Sequence, residues 1–358
     1  MFPSRRTRHL VAFRPSLSPR TALSRAPMLN VALYGCNGHQ IQNALASHPH
    51  ARVVAVAQIP LEKLPDSIRN DPSLATHTTL EHILRDPKVD SVSLCSPRRC
   101  DQASDAVLAL RAGKHVYAEK PCALSEAELD DIISAANASG KIFREMAGTA
   151  FGGPYLAMRN AVRAGRIGDV VQVISEKSYP YYEGRPQDER VDGGLICQNA
   201  IHAVRFIEHV ACTPIRSVAA VETTNGNPLR NGGLRMASCM MFRLANGGVA
   251  SVTANYLNPR GTGVWGYETL RILGTQGMVE SVAGTGRTRL VIGATDMGEL
   301  PEATCEDYLT SFIKTALGIG TMPLSLEEEL SPTRWVLRAK AAAEAAEARE
   351  AHAASAAA

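Results

Sequence analysis

The chain has 358 residues, of which 45% are hydrophobic, 20% charged and 5% aromatic. That is more than one hydrophobic core usually serves, so about two domains are expected, and the composition excludes wholesale disorder. No run approaches the roughly 18–20 apolar residues that cross a bilayer. The formal charge is +3, but Arg5, Arg6, Arg8, Arg14, Arg20 and Arg25 all lie in residues 1–27, which hold no acid and no lysine. The rest has 32 basic and 35 acidic residues, a balance of −3 that argues against a nucleic-acid partner. The Arg- and Ser-rich leader reads as a disordered segment ahead of a start at Met28, or as a transit peptide. A cytoplasmic protein is expected, or an organellar one if the leader is a transit peptide. Eight cysteines show no Cys-x-x-Cys pair and no zinc-finger spacing, so they read as reduced, mainly buried thiols, with no metal site.

From Met28 the pattern alternates strand and helix. Strands are predicted over 29–34, 52–58, 91–95, 115–118 and 141–146, and helices over 39–47, 80–84, 101–112 and 125–138. Continuous apolar runs such as Arg52-Val-Val-Ala-Val-Ala-Gln58 indicate strands buried on both faces of a parallel sheet. Ser125-Glu-Ala-Glu128 has the form of a capping box. Residues 28–148 therefore read as a doubly wound α/β domain of the Rossmann type. After about residue 148 a helix over 154–164 leads into strands at 215–222, 234–244, 249–256, 267–273, 278–282 and 287–292. Turns at Asn225-Gly226, Asn246-Gly247 and Thr275-Gln276-Gly277 separate them. Helices over 303–317 and 326–347 close this second unit, 149–347, which reads as α+β with an open, mainly antiparallel sheet. Residues 348–358 form an alanine-rich tail expected to fray.

Gly35-Cys36-Asn37-Gly38-His39-Gln40 follows the first strand, where a dinucleotide-binding loop belongs. Asn37 and Gln40 replace the second and third glycines of G-x-G-x-x-G. Asn tolerates left-handed backbone, so the turn is expected to survive, whereas Gln40 fits a close-packing position less well. The second strand ends in Gln58 rather than an acid, which carries no charge against a 2′-phosphate and leaves NAD and NADP both open.

Val116-Tyr-Ala-Glu-Lys-Pro121 places a lysine at the carboxyl edge of a buried strand, where doubly wound folds bind ligands. Ala112-Gly-Lys-His-Val-Tyr-Ala-Glu-Lys-Pro121 resembles the glycine-lysine and Glu-Lys-Pro motif of the Gfo/Idh/MocA family of glucose-fructose oxidoreductases and inositol dehydrogenases. Val92-Ser-Leu-Cys-Ser-Pro97, Ala164-Gly-Arg-Ile-Gly168 and Asp192-Gly-Gly-Leu-Ile-Cys-Gln-Asn-Ala-Ile-His202 are similar to further motifs of that family. The resemblance implies NAD or NADP as cofactor, and a sugar, cyclitol or related polyol oxidised or reduced at a hydroxyl or keto carbon. It implies Lys120 and His202 as the catalytic pair, with a cis peptide before Pro121. Cofactor contacts are expected from Gly35, Asn37, Gly38, His39, Gln40, Gln58, Ser96, Pro97, Arg98, Glu119 and Lys120. Substrate contacts are expected from Lys120, Gln198 and His202, and a homodimer or homotetramer as the assembly. The chain departs from the family at Gln198, where an aspartate is usual, and at Arg98, Asp101 and Ala150. These departures keep a second reading open, a catalytically silent nucleotide-binding sensor.

Overall fold

The computed structural model describes residues 27–282 and 286–357; the basic leader, but for Pro27, lies outside them. The first sheet comprises β1 (Leu29–Tyr34), β2 (Ala51–Ala57), β3 (Ala75–His77), β4 (Ser91–Leu94), β5 (His115–Ala118) and β6 (Phe143–Glu145). Every pair is parallel and the order is β3-β2-β1-β4-β5-β6. The order reverses between β1 and β4, and such sheets bind ligands beyond their carboxyl edge at that reversal. All four residues of β4 are buried and β5 is nearly so, which is why their sequences show no polar alternation. The sequence pattern missed β3, whose three residues, half-buried on either side of an exposed Thr76, are too few to carry a period.

Local signals explain most helices. Ser125 caps Glu126–Ser139: its hydroxyl accepts the Glu128 N–H while the Glu128 carboxylate accepts the Ser125 N–H, both at 3.2 Å. Such a cap stabilises a helix by about 1 kcal/mol. The helix expected over 303–317 begins only at Tyr308, because Asp307 caps it by accepting the Thr310 N–H at 2.9 Å. The final helix, Leu326–Ala357, runs through the alanine tail that was expected to fray. Ser325 and Glu328 start it with a reciprocal cap of the same kind, and alanine is the best helix former. The helix expected over 39–47 shrinks to Gln42–Leu45, for a reason that lies in the nucleotide loop.

The second sheet comprises β7 (Val170–Ser178), β8 (Ile215–Thr223), β9 (Ala237–Leu244), β10 (Val249–Asn255), β11 (Tyr267–Gly274), β12 (Gly277–Val282), β13 (Arg287–Ile292) and β14 (Thr295–Gly298). Its order is β14-β13-β12-β11-β7-β10-β9-β8, antiparallel except where β7 meets β10. Sequence reading overlooked β7 at the centre of this sheet. Its second half, Ser175-Glu-Lys-Ser178, looks like loop, yet Lys177 is buried and ion-paired there. Helical segments cover one face, where Ser175 donates to the Ala203 carbonyl and Tyr155 packs on Phe206. The opposite face leaves Ile174, Met241 and Val249 exposed. Among the described residues no helix is long and apolar enough to cross a membrane.

Candidate active site

The nucleotide loop crosses the carboxyl ends of β1 and β4. Gly35 has φ +70°, and a Cβ there would lie 2.0 Å from the Cys95 carbonyl, so only glycine fits. Gly38 has φ +116° and abuts the Glu119 side chain. Asn37 does not take the left-handed backbone expected of it. Its side-chain amide instead donates to the Val191 carbonyl at 2.6 Å, tying the loop to the short helix Glu189–Asp192. Gln40 fills the place of the third glycine with its own amide. Nε2 donates to the Gly35 carbonyl at 2.9 Å, and Oε1 accepts both the buried Ser93 hydroxyl at 2.6 Å and the Ile41 N–H at 3.0 Å. That side chain consumes a first-turn donor, which delays the helix to Gln42. With only one turn of helix, little dipole is available, and anion binding here rests on backbone N–H groups.

Those groups fit a dinucleotide. Among the described residues, the backbone N–H groups of Cys36, Gly38 and Gln40 have no protein acceptor. Gln58, with φ +57°, stands exposed at the end of β2 with its amide on the Thr78 carbonyl at 2.7 Å. Pro97 and Arg98 are exposed at the same edge. Ser96 is buried, its hydroxyl spent on Asp105 at 2.7 Å. Arg99, unlike the exposed Arg98, is buried, bonding the Asn37 carbonyl and Gln102, each at 2.6 Å.

Glu119 and Lys120, each 1% exposed, follow β5, and the Lys120–Pro121 peptide is cis. Burial favours a neutral Glu119, but the His39 hydrogen bond at 3.0 Å and the charges of Lys120 and Arg99 outweigh it and hold the carboxyl at about 2. Lys120 is drawn down to about 8 by burial, against the opposing pull of Glu119 and with help from Arg99, Arg205 and Lys177. Its Nζ donates to the Gln198 carbonyl at 2.7 Å. Gln198 and His202 lie one turn apart in a helical segment that is α over Ile201–Arg205 and π on either side. Such π stretches recur at functional sites. Burial, then the charges of Lys120, Lys177 and Arg205, keep His202 well below the usual imidazole range and therefore neutral. Its Nε2 is closed to solvent and has no hydrogen-bond partner.

Sequence reading did not single out the groups that surround this pair. The Tyr256 hydroxyl donates to the Gln198 side chain at 3.3 Å, and Arg185 stacks 3.7 Å above the Tyr256 ring while facing Asp192. Lys177 pairs with Glu268 at 2.6 Å and lies over the Tyr179 ring. Glu268, a charge inside the strand predicted over 267–273, was the one available signal, since an unpaired charge is seldom buried in a strand. Cavities of about 430 and 370 Å³ lie elsewhere, lined by Arg159, His209 and Cys212 and by Glu189, Cys197 and Lys340. The candidate site is marked instead by the buried Lys120 bonded to the Gln198 carbonyl one turn from the partnerless His202 Nε2.

Residues 29–146 match the family model described as oxidoreductase family, NAD-binding Rossmann fold, and residues 155–280 match the Gfo/Idh/MocA C-terminal domain. A 185-residue stretch is 29% identical to trans-1,2-dihydrobenzene-1,2-diol dehydrogenase from Xenopus laevis, covering 49% of this chain and 55% of that protein. A 137-residue stretch is 28% identical to 1,5-anhydro-D-fructose reductase from Ensifer adhaerens, covering 36% of this chain and 41% of that one. The chain thus matches only about half the length of these curated relatives. In fold it is similar to levoglucosan dehydrogenase, solved with NADH and levoglucosan, at a TM-score of 0.73 over 88% of this chain and 97% of that one, with 19% identity. With both family models matched in succession on the two sheets described above, the chain belongs to the Gfo/Idh/MocA family of NAD(P)-dependent oxidoreductases.

Proposed function

We propose that this protein moves hydride between a nicotinamide cofactor and a hydroxyl or keto carbon of a sugar, cyclitol or related polyol, with residues 28–148 holding the cofactor and 149–347 the substrate. The observation that carries this reading is the orphaned Nε2 of His202 one helical turn from Gln198, whose carbonyl holds a lysine lowered to about 8. A buried nitrogen without a partner is costly, and a substrate hydroxyl would satisfy it. Nicotinamide, when bound, supplies the hydride acceptor or donor. Lys120 then handles the hydroxyl proton: in its neutral form it takes the proton during oxidation, and in its charged form it returns it during reduction. His202, held neutral, orients the reacting oxygen by a hydrogen bond. Gln198 keeps Lys120 aimed through its backbone carbonyl and presents its side chain, steadied by Tyr256, to the substrate. Lys177, Glu268, Arg185 and Asp192 supply the dense polar lining that a polyhydroxylated molecule requires.

Cys36, Gly38 and Gln40 would hold the pyrophosphate through their N–H groups, and Gln58 would meet the adenosine ribose. Assembly as a homodimer or homotetramer would cover Ile174 and Met241, which share one row of the open sheet through Ser251. The deciding experiment is a titration of the purified protein with NADH and NADPH, followed by nicotinamide fluorescence. Binding of at least one, then turnover in a panel of sugars, cyclitols and cyclic diols, is expected. Failure to bind either cofactor would refute the reading.

A further inference from the structure

Near the Lys120–His202 pair lies a fully buried ionic knot whose hydrogen bonds the chemistry above does not use. Glu145, at the end of edge strand β6, is 0% exposed. Its Oε1 accepts the backbone N–H of Cys122 at 2.7 Å, two residues beyond Lys120. Its Oε2 takes the Arg205 guanidinium and the Thr333 hydroxyl, the latter at 2.7 Å. Arg205, 1% exposed, also donates to the Met146 carbonyl at 3.0 Å. It stands three residues beyond His202 in Ile201–Arg205, and residues so spaced share a helix face.

We propose that Glu145 is a positioning residue for the reaction: by clasping the Cys122 N–H and the Arg205 guanidinium with one carboxylate, it sets the spacing of Lys120 and His202. The proposal rests on the functional reading given above. The two reacting groups come from segments far apart in the chain, and their sheets belong to different parts of the molecule. Among the described residues, two hydrogen-bonded ties join those segments close to the chemistry. One is the Lys120 bond to the Gln198 carbonyl, four residues before His202. The other is the Cys122–Glu145–Arg205 clasp, three residues after it. Held at both ends, the turn that carries His202 can neither slide nor rotate against the Lys120 loop. Stability alone does not require a buried ion pair here, because well-packed apolar side chains of similar size commonly serve a core as well or better. A carboxylate provides what they lack: directional bonds to two segments at once. Misplacing reacting groups by about 1 Å lowers turnover by about 100-fold, so the clasp is worth retaining for catalysis.

The test compares Glu145→Gln with the double variant Glu145→Gln/Arg205→Met. The single variant leaves Arg205 buried without its counter-charge and should melt well below wild type. The double variant removes both charges and should recover most of the melting temperature. If Glu145 positions the pair, kcat of the double variant stays about 100-fold down while the NADH or NADPH dissociation constant and substrate KM hold. Its crystal structure should then show the 2.7 Å bond from Lys120 to Gln198 broken. A kcat that simply follows the melting temperature, up or down, would overturn the proposal. An intact Lys120–Gln198 bond in the double variant would overturn it as well. That crystallographic readout needs no turnover, so an inactive wild type would count against the functional reading and leave the positioning of Lys120 to be judged separately.

Discussion

Around the nucleotide loop, side chains carry out locally what glycine backbone does in the G-x-G-x-x-G pattern. Gln40 plugs the gap between loop and sheet with one amide, and Asn37 keeps ordinary backbone while reaching across to Val191. Across the cleft, by contrast, nothing is compensated locally. Lys120 answers to Glu119, Gln198 and Arg205, and His202 to Lys120 beyond β5, Lys177 in β7 and Arg205 on its own helix. A neutral hydrogen bond contributes about 1 kcal/mol net, whereas a buried charge without its partner costs several. The loop should therefore tolerate substitution that the cleft will not.

The sharpest contrast comes from Lys120→Met. Turnover should fall by about 10²–10⁴-fold, the span of general acid–base catalysis, while NADH or NADPH still binds. Steady-state kinetics beside a fluorescence titration would measure both, and unchanged turnover would end the assignment of Lys120 to the proton.

Next in size is the pH response. A lysine lowered to about 8 by burial is protonated below that pH, and the neutral form is the one that accepts a proton. Oxidation measured as kcat/KM should therefore climb nearly tenfold per unit of pH below a midpoint at or under about 8 and then level off, and reduction should fall over the same range. Glu119 is the neighbour that raises Lys120, so Glu119→Gln should move the midpoint to lower pH. A profile flat from pH 6 to 9, or a midpoint that rises in the variant, would contradict the roles given to the pair.

On the loop side the effects shrink. If the exposed Gln58 meets the adenosine ribose as proposed, Gln58→Asp should weaken NADPH by about fivefold to tenfold and spare NADH, as one screened charge allows. Equal losses for both cofactors would place the adenosine ribose elsewhere.

Much of this architecture was legible in the sequence. The parallel strands announced themselves because burial on both faces leaves unbroken apolar runs, and Ser125 with Glu128 wrote its cap into four residues. Lys120 and His202 emerged only when the motif around each resembled a known family, since a lysine or histidine on its own carries no such information. What stayed hidden was set by distant partners. Strand β7 ends in charges that become tolerable only when Glu268 arrives from β11, and Arg99 is buried against Asn37, 62 residues away in the chain. Local pattern reports local physics, and a cleft built from ion pairs between remote segments leaves little trace in it.

Gln40→Gly gives the smallest effect and the most direct trial of the comparison. The change restores the third glycine of the dinucleotide fingerprint, so pattern alone predicts better cofactor binding. The geometry predicts otherwise. The Gln40 amide bonds the Gly35 carbonyl and the buried Ser93 hydroxyl, and glycine would leave both without that partner while freeing the backbone at the turn. The lost bonds cost about 1–2 kcal/mol and the extra chain freedom about 0.5–1 kcal/mol, enough to lower the melting temperature by a few degrees. Cofactor affinity should stay level or weaken by about twofold, because loop and helix already sit at a spacing the amide defines. A calorimetric melt with a parallel NADH titration would decide it. A variant that binds more tightly and melts no lower would mean that the loop is a damaged glycine turn rather than a rebuilt one.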